Sequence, residues 1–247
     1  MNFIKMVKFD FMNIIRNPML LVINTIFPLI LIGVMGFVMN NVFGSGKMSF
    51  YDYYGIKMMI LVALLIAMTA TNKFMEEKVK SGNSRIIYAP VSKTSIYLSK
   101  LISTYILGTI SYSVLILIAQ YLLHINFGGT NIIYIMVLIN ILALFGCSLG
   151  TMFCCLFKSE EGANSIMQIP LLLFIFFGGI IFGAHRLGNV VAKISNLSPV
   201  KWVNECAIRI IYDNDFSIYL PVLASLLIAS IVCIIICQFT FKPEEYV

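Results

Sequence analysis

The residues of this chain that can do chemistry are few, and they do not form a catalytic set. Glu76 and Glu77 are a carboxylate pair of the kind that works with histidines at a zinc site. The two histidines, His124 and His185, fall on the opposite side of the predicted membrane from that pair. The sequence also lacks an HExxH segment and a phosphate-binding GxxxxGK[ST] loop. We therefore expect no enzyme, with no catalytic residue, no cofactor site and no metal ligand in this chain.

The elements around these residues are apolar runs that are long enough to cross a bilayer. The chain has 247 residues, of which 60% are hydrophobic and 11% charged, whereas a soluble domain carries about 25% charged residues. About 20 apolar residues span the hydrocarbon core as a helix. The runs are continuous rather than alternating, which favours helices over a barrel. The sequence predicts an all-α membrane bundle, one domain over 1–247, with six spans at about 19–40, 56–74, 100–123, 132–157, 166–184 and 218–240.

The basic residues predict the orientation of these spans. With the N-terminus inside, eleven Lys and Arg fall on the cytoplasmic side and six outside. This bias predicts that both termini of a multi-pass protein of the cell membrane lie in the cytoplasm. We also expect the protein to be bacterial. The net charge of +6 then indicates contact with anionic lipid rather than nucleic acid. The outer six are Lys47, Lys57, Arg186, Lys193, Lys201 and Arg209.

Two segments outside the spans have helical amphipathic patterns. Residues 2–17 place apolar and basic side chains on different faces, which predicts a helix lying in the membrane interface. The apolar face of that helix would hold Phe3, Ile4, Val7, Phe11, Ile14 and Ile15. Residues 185–217 predict two short outer helices before the last span, the second of them starting near Pro199.

Polar residues within the spans are amides rather than charges. Proton- and sodium-coupled carriers place ionisable residues at mid-membrane, and none is found at the centre of a span here. We interpret the amides as interhelical hydrogen-bonding groups in preference to a substrate site. They are Asn24, Gln120, Asn140 and Gln168. Two GxxxG pairs, Gly146 with Gly150 and Gly179 with Gly183, predict close helix packing within the bundle or at a dimer contact.

The densest charge lies between the second and third spans, and its pattern resembles a known family. Residues 74–100 read FMEEKVKSGNSRIIYAPVSKTSIYLSK. An acidic residue, a glycine, a short apolar helix, Pro-Val-Ser and a lysine that enters the next span resemble the first inner connection of type-2 ABC transporter permeases. The lysine is Lys100, and Ser99 stands where the family commonly has glycine. Residues 158–182 and 197–211 are similar to later segments of the same family, in the same order.

The resemblance implies a permease subunit of an ABC exporter that pairs with a second permease subunit and with separate ATP-binding subunits. ATP and Mg would belong to the partner ATPase and not to this chain. A cytoplasmic coupling helix would carry the contact with that ATPase through Glu76, Glu77, Lys78, Gly82, Arg85, Ile86, Ile87 and Pro90. A second inner contact would use Lys158, Ser159, Glu160 and Glu161.

Substrate and partner remain open at this level. The absence of charge at mid-membrane suits a lipophilic or amphipathic cargo, such as a peptide antibiotic or drug. Export of a lipid-linked glycan is an alternative within the same family. A membrane scaffold or sensor that transports nothing is an alternative of a different class.

Overall fold

A computed structural model describes residues 3–43, 50–75, 92–157, 159–180 and 193–241. Helices account for nearly all of these residues, and no strand occurs among them, which confirms the predicted all-α membrane bundle. The helices are α1 (Phe3–Ile15), α2 (Pro18–Phe43), α3 (Phe50–Met75), α4 (Lys93–Tyr121), α5 (Ile132–Phe157), α6 (Glu160–Phe177), α7 (Pro199–Ile208) and α8 (Tyr219–Thr240). A 3₁₀ turn, Gly129–Asn131, precedes α5, and a π-helical turn, Arg209–Asp213, follows α7.

Five of the helices, α2, α3, α4, α5 and α8, are long and apolar enough to cross a membrane. The fifth predicted span, 166–184, differs from its helix. Helix α6 begins at Glu160, where Ser159 caps it, and ends at Phe177 after 18 residues. Gly179 follows with a φ of +70°, which leaves the helical region and favours glycine. Helix α6 is therefore shorter than the five helices that can cross a membrane, and residues 178–180 after it are buried.

Helix α3 forms the centre of the bundle. It contacts α2, α4, α5, α6 and α7, and most of the apolar residues that let it cross a membrane are buried. Its closest neighbour is α5, where Gly146 and Gly150 face it. A Cβ at Gly150 would collide with the Ala67 carbonyl oxygen, and one at Gly146 would lie 3.0 Å from the Leu64 carbonyl oxygen. The first GxxxG pair therefore lies at a contact within the bundle, where small residues let two helix backbones approach.

A buried polar network joins α2, α3 and α4. The Asn24 amide nitrogen donates to the Thr69 hydroxyl at 3.0 Å and to the Leu20 carbonyl at 2.8 Å. The Tyr112 hydroxyl donates to the Asn24 amide oxygen at 2.9 Å. Every polar atom of the Asn24 side chain thus has a partner, as a buried amide requires. This bears out the interhelical interpretation for Asn24.

The other three amides have different surroundings. Asn140 donates to Ser113 of α4 at 3.1 Å, which is again interhelical. Gln120 instead accepts from the Phe127 amide at 2.6 Å and holds the turn after α4. Gln168 is exposed on α6, and no hydrogen bond to it occurs among the described residues. The interhelical interpretation is therefore wrong for Gln120 and has no support for Gln168.

Helix α1 packs against α4 with a face that differs from the predicted one. Its buried residues are Met6, Asp10 and Ile14, spaced one turn apart. Ile4 and Ile15, predicted on the apolar face, are exposed. The buried face differs from the predicted apolar face because it includes Asp10, whose carboxylate pairs with Lys100 of α4. The basic residues Lys5, Lys8 and Arg16 are exposed.

The helix ends define the two ends of the bundle. Helix α3 ends and α4 begins at the end where α1 lies and where α8 reaches Phe241; we call this the proximal end. The opposite, distal end carries the turn between α4 and α5 and the segment around α7.

All six cysteines are buried and free, as expected for small apolar residues in a bundle.

Candidate functional site

The proposed coupling residues lie outside the described residues, but the helices on either side of them are described. The structure does not describe residues 76–91, which include Glu76, Glu77, Lys78, Gly82, Arg85, Ile86, Ile87 and Pro90. Lys158 and Gly183 also lie outside the described residues, in other parts of the chain. Helix α3 leads into the range 76–91 at Met75, and α4 leaves it at Lys93. Ser92 caps α4, because its side chain accepts a hydrogen bond from the Ser95 amide.

A buried ion pair joins α1 to the first turns of α4. Lys100 Nζ lies 3.7 Å from Asp10 Oδ1, and both side chains are about 5% exposed or less. The Ser99 hydroxyl donates to Asp10 Oδ2 at 2.7 Å. Asp10 therefore has a partner for each carboxylate oxygen, as a buried charge needs. Ser99, which stands where the family that residues 74–100 resemble commonly has glycine, supplies one of these bonds.

Aromatic rings extend this contact to α3 and α8. The Lys100 ammonium lies 5.8 Å from the centroid of the Phe74 ring, near the end of α3. Phe74 meets Phe241 edge-on at 5.8 Å, and Tyr97 of α4 meets the same Phe241 ring at 5.7 Å. Phe241 thus sits between the last turn of α3 and the first turns of α4.

Gln238, near the end of α8, completes the cluster. Its amide oxygen accepts from the Tyr97 hydroxyl at 2.7 Å and from the Thr94 hydroxyl at 3.0 Å. Both donors lie on the first two turns of α4. We call the whole cluster the proximal junction; it consists of Asp10, Phe74, Thr94, Tyr97, Ser99, Lys100, Gln238 and Phe241.

The proximal junction ties four helices together at the point where the chain enters and leaves residues 76–91. The ion pair joins the start of α4 to α1, whereas Phe241 and Gln238 join α8 to the end of α3 and the start of α4. Packed side chains and hydrogen bonds of this kind carry motion between rigid elements. The proximal junction therefore fixes the ends of these four helices relative to one another.

Sequence analysis missed most of the proximal junction. Asp10 carried a usable signal, since it is the one acidic residue in α1 and falls one turn from Met6 and from Ile14. Gln238 and Phe241 carried none, because their partners are more than 100 residues away in the sequence.

The second predicted inner contact is described in part. Ser159 accepts a hydrogen bond from the Gly162 amide at 3.2 Å and so caps α6. Glu161 is exposed in the first turn of α6. Asn164 donates to Asn72 near the end of α3 at 2.9 Å, which brings the start of α6 to the proximal end as well. Glu160 lies in α6, and its side chain is outside the described part of the chain.

The GCSLG stretch of α5, residues 146–150, has the spacing of a nucleophile elbow but not its geometry. It lies within the helix, and the Ser148 hydroxyl donates to the Leu144 carbonyl at 2.8 Å. A nucleophilic serine of that type sits on a sharp turn after a strand. Among the described residues there is also no group of three or more His, Cys, Asp or Glu side chains that could hold a metal ion.

The distal end contains a buried lysine, one of the six basic residues predicted on the outer side of the membrane. Lys57 lies two turns inside α3 and is 2% exposed. Its ammonium donates to the Gly179 carbonyl and to the Tyr53 hydroxyl, both at 2.8 Å. It also lies 4.1 Å from the centroid of the Tyr53 ring. Helix α3 begins at Phe50, six residues before the predicted span 56–74, and therefore carries Lys57 two turns into the helix and into the core.

A charged cluster after α7 orders the approach to α8. Arg209 pairs with Glu205 one turn earlier and with Asp215 at 3.3 Å. The Ser217 amide and hydroxyl also donate to Asp215, at 2.9 and 3.0 Å. These bonds from Ser217, together with the Arg209 guanidinium, hold the pKa of Asp215 below its usual value.

The comparisons with known proteins agree with the helical bundle. The family model described as ABC-2 type transporter matches residues 1–212. Over 143 residues, 58% of this chain, the sequence is 22% identical to the linearmycin resistance permease protein LnrN of Bacillus subtilis (strain 168). The matched part covers 37% of the length of that relative. Since the family model matches well over half of the chain, this multi-pass membrane protein belongs to the ABC-2 type transporter family.

Proposed function

We propose that the chain is the membrane-spanning permease subunit of an ABC exporter, driven by separate ATP-binding subunits. The observation that carries the proposal is the proximal junction. It binds α1, α3, α4 and α8 together at the two helix ends that flank residues 76–91. Those residues resemble the coupling helix of the family, and a partner that pushed on them would move all four helices.

The orientation proposed for the bundle puts the proximal end in the cytoplasm. The basic residues Lys5, Lys8 and Arg16 are exposed on α1, next to exposed apolar side chains such as Phe9 and Met12. A helix of this composition binds at the surface of a membrane with anionic lipids. The same side is the one that the count of basic residues favours.

A second permease subunit is proposed at the exposed face of α6. Glu161, Ser165, Gln168 and Leu172 follow one another at helical spacing and are all exposed. Moving an unpaired amide from water into hydrocarbon costs a few kcal/mol, of the order of 2 or more. This stripe therefore suits the cover of a second copy, or a path lined by two copies, better than lipid tails.

The substrate proposed is lipophilic or amphipathic. No charged residue lies on the exposed face of α6 between Ser165 and Phe177, so that part of the face suits an uncharged or amphipathic molecule. The similar protein of Bacillus subtilis is named for resistance to linearmycin, and an antibiotic or drug is therefore the first class to test. A lipid-linked glycan is the second candidate.

The first test is affinity purification of the tagged chain from its native host in mild detergent. We expect an ATP-binding subunit to copurify, and amphipathic compounds to stimulate its ATP hydrolysis in the reconstituted complex. A scaffold or sensor would bring down a kinase or no partner, and this result would contradict the proposal.

The second test addresses the coupling residues directly. Reversing two charges together, Glu77→Lys with Arg85→Glu, should abolish export while the chain still inserts in the membrane, because charges at a docking surface set orientation and specificity. The matched control reverses Lys193 and Asp213, two exposed charges at the distal end. If the doubly reversed coupling variant exported normally, the assignment of these residues would be wrong.

A further inference from the structure

The C-terminal end of α6 is buried, and some of its carbonyls accept hydrogen bonds from side chains of other helices. A helix leaves its last carbonyls without partners, and α6 ends with residues 178–180 buried. The chain itself supplies two bonds, from the Gly178 amide to the Phe174 carbonyl at 2.8 Å and from the Gly179 amide to the Phe176 carbonyl at 3.4 Å. The remaining acceptors need donors from other parts of the chain.

Two side chains donate to the carbonyls just past the last helical residue, and a third adds a second bond to the Phe174 carbonyl. Lys57 of α3 donates to the Gly179 carbonyl at 2.8 Å, and Ser198, just before α7, donates to the Phe174 carbonyl at 2.9 Å. Asn204 of α7 donates to the Gly178 carbonyl at 3.5 Å. We call these three donors and their three carbonyl acceptors the distal latch. It joins α3 and α7 to the end of α6.

Lys57 is the charged member of the distal latch and its partners are unusual. A buried ammonium normally pairs with a carboxylate. Within the described residues Lys57 forms no ion pair; it contacts one carbonyl, one hydroxyl and the ring of Tyr53. The negative end of a helix dipole stabilises a cation, and α6 presents that end to Lys57. The C-terminal end of α6 therefore compensates part of the charge of Lys57.

We propose that Lys57 is a positioning residue for transport, which holds the C-terminal end of α6 against α3 and keeps the distal end closed. If α6 moves away from α3, Lys57 loses both the carbonyl and the helix end that compensate its charge. Opening therefore requires breaking this bond, and closing restores it. The consequence for export rests on the proposed function, whereas the holding role concerns this chain alone.

The chain carries natural reporters for this movement. Cys206 of α7 is fully buried in the same apolar cluster as Ile175 and Ile180, near the end of α6. Burial raises the pKa of the Cys206 thiol to about 11, so the closed state reacts slowly with maleimides. Cys237, near the proximal end of α8, is also fully buried and serves as the internal control.

The test measures the labelling rate of each cysteine by a water-soluble maleimide, read by peptide mass spectrometry, with the full chain in lipid nanodiscs. Lys57→Met should raise labelling of Cys206 about tenfold and leave that of Cys237 unchanged, since one hydrogen bond from a charged donor is lost. Lys57→Arg should return the rate toward that of the unchanged chain. Unchanged labelling of Cys206, or an equal rise at both cysteines, would overturn the proposal.

A second variant keeps the test decisive if Lys57→Met does not accumulate in the membrane. Ser198→Ala removes another donor of the distal latch and adds no bulk. It should raise labelling of Cys206 as well, by a smaller factor, with Cys237 again unchanged; no change at Cys206 would contradict the latch. Because labelling needs no ATP-binding subunit, failure of the proposed function and failure of the latch give different results.

Discussion

The buried ion pair of the proximal junction gives the sharpest prediction. At 3.7 Å and an effective dielectric constant of about 20, Asp10 and Lys100 attract each other by about 4.5 kcal/mol. The cost of taking both charges out of water offsets much of that attraction. Removing one partner still leaves the other charge buried, and this costs about 3 to 5 kcal/mol. Replacing both partners removes the stranded charge.

The assay is a double-mutant cycle on reversible unfolding of the purified chain in mixed micelles. We expect Asp10→Asn and Lys100→Met each to lower the free energy of unfolding by about 3 kcal/mol or more. The double variant should lose less than the sum, with a coupling of about 1 to 3 kcal/mol. Additive losses would show that the two charges do not interact and would refute the reasoning.

The same variants separate stability from transmission. The double variant leaves no stranded charge and should be more stable than the sum of the two single losses predicts, yet its α1 is no longer joined to α4 by charges. We therefore expect it to retain the ATP-binding subunit while substrate-stimulated ATP hydrolysis falls. Full stimulation in the double variant would mean that the pair only stabilises the fold.

Three further predictions concern other parts of the bundle. Gly150→Ala should lower the free energy of unfolding by about 1 to 3 kcal/mol because its Cβ meets the backbone of α3, whereas Gly33→Ala, with nothing within 4 Å, should be neutral in the same assay. Tyr112→Phe should cost about 1 kcal/mol by removing the donor to Asn24, and no loss would contradict that network. The segment around Asp215 should be fully ordered above about pH 4 and loosen as the pH falls through its lowered pKa, measured by hydrogen exchange, with Asp215→Asn removing this pH dependence.

The sequence predicted the class of fold because membrane helices are specified by local composition. Apolar runs of about 20 residues identify spans whatever their neighbours are. Pro199 likewise predicted the start of α7, since proline suits the first turn of a helix. The end of α6 could not be predicted, because the run continues as apolar sequence past Phe177 and the break depends on donors from α3 and α7.

The sequence marks some of the proposed functional residues, whereas others are recognised only from the packing of the helices. The segment 76–91 stands out in the sequence because it is charged between two apolar runs. The residues that join the helices on either side of that segment to the rest of the bundle do not stand out in the sequence. Asp10 and Lys100 are 90 positions apart, and only the packing of α1 on α4 brings them together. The position of Lys57 followed from where α3 starts, and helix ends are poorly marked in apolar sequence.

The central claim is that residues 76–91 receive the motion of an ATP-binding subunit, and site-specific photo-crosslinking tests it most directly. A photoreactive amino acid at position 85 should capture the ATP-binding subunit in intact cells. The same amino acid at Leu123, exposed at the distal end, should not. Capture at neither position, or capture of the ATP-binding subunit from Leu123 instead of position 85, would contradict the account.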